Sequence, residues 1–536
     1  MASVNDEDLT PTEVELVNHC AVGTLCNLSG RPPDQVRVRA SVLYELCVGR
    51  RWPVHAKGVQ LGGAWIPERL DFENAVLRAP LLLSGCVIAG LTLTSATSSA
   101  IELIGCQIDG VVDADMARAA HLSLHRSTVE ALNVADASID GHLGLLGTQF
   151  TGSDAFGHSL TASGLRVTDA YLRDGFEATG PIFFVGATIS GNLEMDGAKL
   201  RGIDARGSSL IADGLHVAIA LLRFGFEAAG SVRLVGARVD RELDLTAAKL
   251  RGVDADGNSL NADRLHAGGG VVLQHGFEAA GTVRLVGATI DGQLLLHDAR
   301  IDGLRLTSAR CAVLADDQDS WPANGRLSLR GLRFDSVASD ADFNQRLDWV
   351  RRQWTEDWST DPYEQLAAYY SSTGDEQAAR RMQIAKNDDE LAHLKKTSKE
   401  GSFGYRFWRR PFGWLLGYGY RRWPAGVLLI VTLVAAGGIF RWAESDGGMV
   451  PNEPVVDDNT GDPLPCGGTY PCFNSWVYGA DVVLPIIDFG QDDAWRPVET
   501  PSADQWWIWA RWGFIVMGWV LASVFVAAFT ALVQRT

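Results

Sequence analysis

Short apolar–x–apolar pairs recur along the first two thirds of the chain: Leu70–Phe72, Leu91–Leu93, Leu122–Leu124, Leu132–Val134, Leu143–Leu145, Leu193–Met195, Leu243–Leu245, Leu294–Leu296, Leu304–Leu306 and Leu327–Leu329. A period of two places alternate side chains on one face, which is the pattern of a strand. Many pairs are followed within a few residues by a small residue and another aliphatic, as in Gly197-Ala198-Lys199-Leu200. Antiparallel hairpins want longer strands joined by regular Asn-Gly or Asp-Gly turns. Small residues beside short strands instead let the chain turn a corner and stack coil on coil. The pattern predicts a mostly β protein built on a parallel β-helix, a stacked solenoid, over residues 55–335.

A longer period is superimposed. Gly175-Phe-Glu-Ala-Thr-Gly180 returns 50 residues later as Gly225-Phe-Glu-Ala-Ala-Gly230, and then one residue late as Gly276-Phe-Glu-Ala-Ala-Gly281. The extra residue falls near Gly268-Gly269-Gly270. Each copy is followed by Val-Gly-Ala (Val185, Val235, Val286), and Gly-x-Asp-Ala-x-Gly-x-Ser-Leu starts at Gly152, Gly202 and Gly252. Such internal repeats mark stacked architectures.

Outside the solenoid the period becomes helical. Thr10-Pro11-Thr12-Glu13 reads as a capping box with Pro at the first helical position. A second helix is expected over Val36–Cys47, so residues 1–54 form an N-terminal helical cap. Helices are expected over Phe343–Trp354, from Asp361-Pro362 to Gly374, and onward through Ala378, Met382 and Ala385. These make residues 336–423 a helical linker.

Residues 424–536 read as a membrane domain with two transmembrane helices. Pro424–Phe440 is 17 residues without a charge and Trp512–Val533 is 22; about 20 apolar residues cross a bilayer core. Trp506, Trp507, Trp509 and Trp512 suit an interfacial belt. Arg406, Arg409, Arg410, Arg421 and Arg422 precede the first span and Arg535 follows the second, whereas Arg441 and Arg511 sit at helix ends and only Arg496 lies inside the loop between. Positive residues stay inside, so a multi-pass plasma-membrane protein with both termini cytoplasmic is expected, with the bilayer as a partner. Met1–Thr12 is acidic and lacks an apolar stretch, so no signal peptide is expected.

The net charge of −18 argues against nucleic acid as a partner. Gly is abundant, at 57 residues, as solenoid corners require. Six of the eight cysteines are scattered among apolar neighbours as buried free thiols, but Cys466 and Cys472 lie in the loop between the spans, outside the cell, where a disulfide is expected.

No nucleotide, phosphate-loop or zinc motif appears, so no cofactor, metal or catalytic residue is assigned. His19, Cys20 and Cys26 read as part of the capping helix rather than a metal site. His216 and His266 share one repeat position, which suits packing or surface roles, and Asp204, Asp254 and Asp256 suit turns.

The loop between the spans carries the most specific signal. Phe473–Ile487 is 15 mostly apolar residues, too short to cross, and is followed by Asp488-Phe489-Gly490-Gln491-Asp492. It reads either as a helix lying on the outer leaflet or as a re-entrant pore segment. The order of span, short helix, loop and span resembles a two-span P-loop channel subunit, with Asp488-Phe489-Gly490 where such channels place Gly-Tyr-Gly. That resemblance makes Asp481, Pro485, Asp488, Phe489, Gly490 and Asp492 the pore-loop candidates. The Thr-Val-Gly-Tyr-Gly motif is absent there, so potassium selectivity is not implied; an acidic mouth, with Asp493, would favour cations. Gly417-Tyr418-Gly419-Tyr420 precedes the first span and reads as an interfacial turn.

The chain as a whole resembles a family of actinobacterial membrane proteins with pentapeptide-repeat-like solenoids, often labelled membrane-associated oxidoreductases. The likeness rests on Leu9-Thr10-Pro11, the Leu-x-Leu/Gly-Ala coils, Arg346-Leu-Asp-Trp349, Tyr363-Glu-Gln-Leu-Ala367, Gly374-Asp-Glu-Gln-Ala378, Leu484-Pro-Ile-Ile-Asp-Phe-Gly490 and Gly518-Trp-Val-Leu521. The spacing of eleven between Ala187 and Ala198 departs from a strict five-residue period. The label implies an oxidoreductase, but no cofactor motif accompanies it. The reading expected from the residues is a membrane-anchored scaffold or sensor whose solenoid binds a cytoplasmic protein. The alternative is an oligomeric, cation-preferring, channel-like protein.

Overall fold

The structure, a computed structural model, describes residues 8–49, 51–397, 423–453, 466, 470–484, 486–498 and 506–533. The chain divides into two units between Lys386 and Asn387.

The first unit is dominated by a parallel β-solenoid of about 13 turns. Both members of every apolar pair named above are buried. Each pair flanks a corner and points inward, so successive coils stack like on like. The early coils are short: Val59 pairs with Leu81, Leu81 with Ile101, Ile101 with Leu122 and Leu122 with Leu143, a spacing of 20 to 22 residues. From Leu143 the spacing alternates. Leu143 pairs with Ala170 and Leu193 with Ala220, each 27 residues on, while Ala170 pairs with Leu193 and Ala220 with Leu243, each 23 on. A long coil and a short one together make the 50-residue repeat. In the third copy Leu243 pairs with Val271, 28 residues on, while Val239 still pairs with Ala267. The additional residue is therefore in Gly268-Gly269-Gly270, which splits the strand into His266–Ala267 and Val271–Val272.

The long coils carry the Gly-x-Asp-Ala-x-Gly-x-Ser-Leu motif as a loop that closes on itself. Oδ1 of Asp204 accepts from the amides of Arg206 and Ser208, both at 2.8 Å. Asp154 and Asp254 do the same two and four residues on. The following serine joins two coils: Ser209 Oγ donates to Gly202 O and accepts from Gly230 N, both at 2.7 Å. Gly202 and Gly252 leave no room for a side chain, since a Cβ on Gly252 would lie 1.9 Å from Ala229 O. Asp256 is exposed on the loop and donates its amide to Asp254.

One outward column alternates in sign. Glu177, Lys199, Glu227, Lys249, Glu278 and Arg300 stack in register on successive coils. Lys199 and Arg251 reach Glu227 at 3.0 and 3.1 Å and hold its carboxyl below the usual range. Exposed pairs each contribute only about 0–1 kcal/mol, so the column fixes register more than stability.

The ladder begins earlier than residue 55. Cys26–Asn27 pairs with Leu61–Gly62, so the cap supplies the first strand. Helix α1 (Pro11–Val22) opens with the expected capping box: Thr10 Oγ1 accepts from Glu13 N at 3.2 Å and Glu13 Oε2 accepts from Thr10 N at 2.9 Å. The second helix, α2 (Ala40–Cys47), starts four residues later than expected. Val36 O and Val38 N both bond to the Trp65 backbone, at 2.8 and 3.0 Å, so residues 36–38, with β-branched Val36 and Val38, extend the ladder instead of the helix. Glu13 also binds Arg39 at 2.6 Å, tying α1 to the start of α2.

At the other end α3 (Phe343–Arg351) stops three residues short of Trp354. Gln353 bridges Leu327 and Trp354 N donates to Leu327 O at 2.8 Å, so the chain returns to the last coil. Helix α4 (Asp361–Ser372) lies against the final strand, Arg333–Ala338: Gln365 Nε2 donates to Phe334 O at 2.6 Å and Tyr369 Oη to Val337 O at 3.3 Å. Gly374, at φ 85°, ends that stretch before α5 (Glu376–Thr397). A buried ion pair locks this end. Arg346 binds Asp316 through two bonds of 2.6 and 2.8 Å, with its guanidinium 5.2 and 4.8 Å from the ring centres of Trp321 and Trp349.

The second unit holds α6 (Trp423–Ser445), α7 (Ser475–Val483), the single turn α8 (Gln491–Ala494) and α9 (Trp506–Val533), with Met449–Pro451 paired antiparallel to Trp495–Pro497. Among the described residues one helix, Gly426–Ser445, is long and apolar enough to cross a membrane, where two were expected. The described part of α9 carries Arg511 and five tryptophans (506, 507, 509, 512 and 519), which lower its hydropathy, and its side chains from 524 on lie outside the described residues. So do Arg406, Arg409, Arg410, Arg421, Arg422, Arg535 and Gly417–Tyr420.

Two outcomes follow for the solenoid ends. Arg346→Ala leaves the buried Asp316 with the Trp321 indole N–H, at 3.0 Å, but no counter-charge, so denaturant unfolding should show a loss of about 3–5 kcal/mol; a loss under about 1 kcal/mol would mean the lock is unimportant. Burial alone would raise the Glu13 carboxyl, but hydrogen bonds from Arg39 and from the Thr10 and Arg39 amides outweigh it and hold it below its ordinary 4.5. This stability is present above 4.5 and is lost as pH falls through the lower folded value. Acid unfolding of the wild type should show this loss, and Glu13→Gln should remove that part of the pH dependence.

Candidate functional site

The segment between α6 and α9 is built around α7. Asn474 caps it: its Oδ1 accepts from Trp476 N at 3.1 Å and Val477 N at 3.3 Å. The helix is nine residues long because Leu484 leaves helical geometry, at ψ 85°. Glycines allow close packing on both sides. A Cβ on Gly479 would lie 2.8 Å from Gly437 N of α6, and a Cβ on Gly518 of α9 would lie 2.1 Å from Val483 O. Tyr478 is buried between Phe440, with ring centres 4.7 Å apart, and Phe473, at 5.4 Å. The short apolar helix is thus wedged between the two long ones.

The structure brings five of the six pore-loop candidates together; Pro485 lies outside the described residues. Asp481 organises the others. Its Oδ1 accepts from Phe489 N at 2.8 Å, and its Oδ2 accepts from Gln491 N at 2.8 Å and Asp492 N at 2.9 Å. It therefore folds the loop back onto the end of α7 and caps α8. Asp488 Oδ1 accepts from Gly490 N at 2.8 Å, and Gly490 takes φ 75°, a left-handed turn that a side chain would strain. Asp492 is bound by Arg511 of α9 at 2.9 and 3.0 Å. Phe489 is half exposed and Ile486 is 78% exposed.

Two of the four expected mouth acids are thus engaged inside the fold, while Asp488 and Asp493 are exposed. Cys466 and Cys472 form a disulfide, with Cα atoms 4.9 Å apart. Buried Gln491 joins the pieces: its Oε1 accepts from Asn474 N at 3.1 Å and its Nε2 donates to Cys472 O at 3.2 Å. The sequence marks Arg511 only as a positive residue at a helix end and Gly518 only as part of a family motif, and it does not mark the bridging role of Gln491, the cap at Asn474 or the packing of Gly437 and Gly479. Asn474, a good N-cap residue just before an apolar run, was the one readable signal.

Elsewhere the polar candidates resolve into local roles. Asp204 and Asp254 close loops, and His216 and His266 pair on the surface with Asp240 and Asp291, at 3.0 and 3.6 Å. The other six cysteines are buried free thiols. His19 and Cys26 do come together, with Glu15 as the third donor and without Cys20.

Asp481→Ala strands three amides and should lower stability in detergent by about 1–3 kcal/mol, with faster proteolysis within 486–498. Asp488→Ala should change stability by less than about 0.5 kcal/mol. Equal losses for the two would overturn the assignment of Asp481 as the organiser.

No protein-family model matches the chain, and no curated protein matches it.

Proposed function

We propose that the chain is a membrane-anchored scaffold or sensor, in which the solenoid offers a rigid surface to a cytoplasmic protein and α6 and α9 hold it at the plasma membrane with both termini inside. The observation that carries this reading is the fate of the polar residues on the solenoid. The interior columns are mainly apolar, and Asp204, Asp254, His216 and His266 are used in loop closure or surface ion pairs. What remains on offer is surface. The loops of the long coils carry exposed apolar side chains, Phe156, Ile203 and Val253, at 80, 55 and 42% exposure. Exposed apolar residues in a repeated array suit protein contact.

A second reading, an oligomeric channel-like protein, is favoured by one observation, the glycine-packed wedge of α7 between α6 and α9 with Asp488 and Asp493 exposed beside it. Among the described residues, no observation favours the oxidoreductase alternative.

Photo-crosslinkers placed at Phe156, Ile203 and Val253 of the full-length protein in native cells should yield one recurring protein adduct, absent when the crosslinker sits at Arg118 on another face. No adduct at any loop would remove the basis of the scaffold. The purified protein in planar bilayers separates the readings: cation currents from a symmetric oligomer favour the pore, and silence or a monomer favours the scaffold.

A further inference from the structure

The N-terminal cap holds a group of donors that the ladder does not need. Glu15 and His19 stand one turn apart on α1 and share a face. Cys26 enters from the first strand. A Glu15 carboxylate oxygen, a His19 ring nitrogen and Cys26 Sγ all lie within 4.8 Å of one another. His19 Nδ1 is occupied by the Thr24 hydroxyl at 2.8 Å, which leaves Nε2, 3.9 Å from Glu15 Oε1, facing the group. A hydrogen bond on the far ring nitrogen is how metal-binding histidines are usually oriented. Cys26 is fully buried and forms the floor; the Glu15 and His19 side chains, 35 and 36% exposed, form the rim.

We infer that Glu15, His19 and Cys26 bind one divalent transition ion of the zinc type, with a fourth position open to solvent. The donor set decides the class. A sulfur and an imidazole do not suit calcium or magnesium, which take oxygen ligands, whereas zinc takes sulfur, nitrogen and oxygen together. Ligand bonds of about 2.0–2.3 Å require the donors to draw in from their present spacing. Glu15 and His19, on the exposed rim, have the torsional freedom to do so. Arg31 holds Glu15 through bonds of 2.7 and 2.8 Å and keeps it ionised. A carboxylate has about four lone-pair sites, so the guanidinium remains as an outer partner while the ion takes a free one. As the sulfur–metal bond forms, the Cys26 thiol proton leaves to solvent. The ion would clamp α1 to the first strand of the ladder.

The test uses the full-length protein in detergent, stripped by a chelator and titrated with Co²⁺. One equivalent should bind with a sulfur-to-cobalt charge-transfer band and tetrahedral visible bands, all displaced by Zn²⁺. Cys26→Ser should abolish the charge-transfer band. His19→Ala should weaken binding more than tenfold, while its metal-free unfolding transition matches the wild type because His19 lies on the rim. Cys20→Ser, removing the neighbouring buried thiol, should keep the band. Absence of the band in the wild type, its survival in Cys26→Ser or its loss in Cys20→Ser would each overturn the site.

Discussion

A parallel solenoid satisfies its backbone by laying each coil on the next, and that leaves two places where nothing comes next. An open strand edge is a template for aggregation. Much of the structure outside the coils answers this constraint. At the start, Cys26–Asn27 and Arg37 pair with the first coils, and the capping box with its Arg39 partner fixes the helices that carry those segments. At the end, Gln353 and Trp354 return to the edge while Gln365 and Tyr369 side chains take carbonyls of the last strand. Backbone, side-chain amide and phenol do the same job at different points.

The solenoid was legible because its code is local. An apolar pair with a corner after it means the same thing in every coil, and all ten pairs singled out are buried. The position of the extra residue at Gly268–Gly270 could also be read, since a one-residue shift in a repeat has to be absorbed somewhere soft. The ends were less legible. Val36-Arg37-Val38 alternates as a strand does, but it runs directly into the apolar face of α2, and its pairing with Trp65 from the next coil is what separates the two. Likewise Trp354 suits a helix until Leu327 offers it a carbonyl. These are contacts made across distance, which propensity does not encode.

The second unit was legible as order and composition but not as wiring. Its short helix, loop and acids were visible in sequence. That Asp481 would spend both oxygens on three amides, and Asp492 bind Arg511, depends on the fold of the loop. The glycine contacts explain why α7 is small-faced: Gly479 meets Gly437 and Val483 meets Gly518 at distances that exclude a methyl group. Such contacts make the three helices one packed body rather than three apolar segments.

The alternation of long and short coils has a geometric consequence. Adjacent strands lie about 4.8 Å apart, and the self-closed loops occur on every second coil, at Asp154, Asp204 and Asp254. The surface therefore carries teeth at intervals of about 9.6 Å, each held by its own aspartate. A solenoid lengthened by duplicating the 50-residue repeat would grow by whole teeth and keep the same pitch. The chain is in that sense a ruler, whose graduations are written in the sequence and whose scale is set by the backbone.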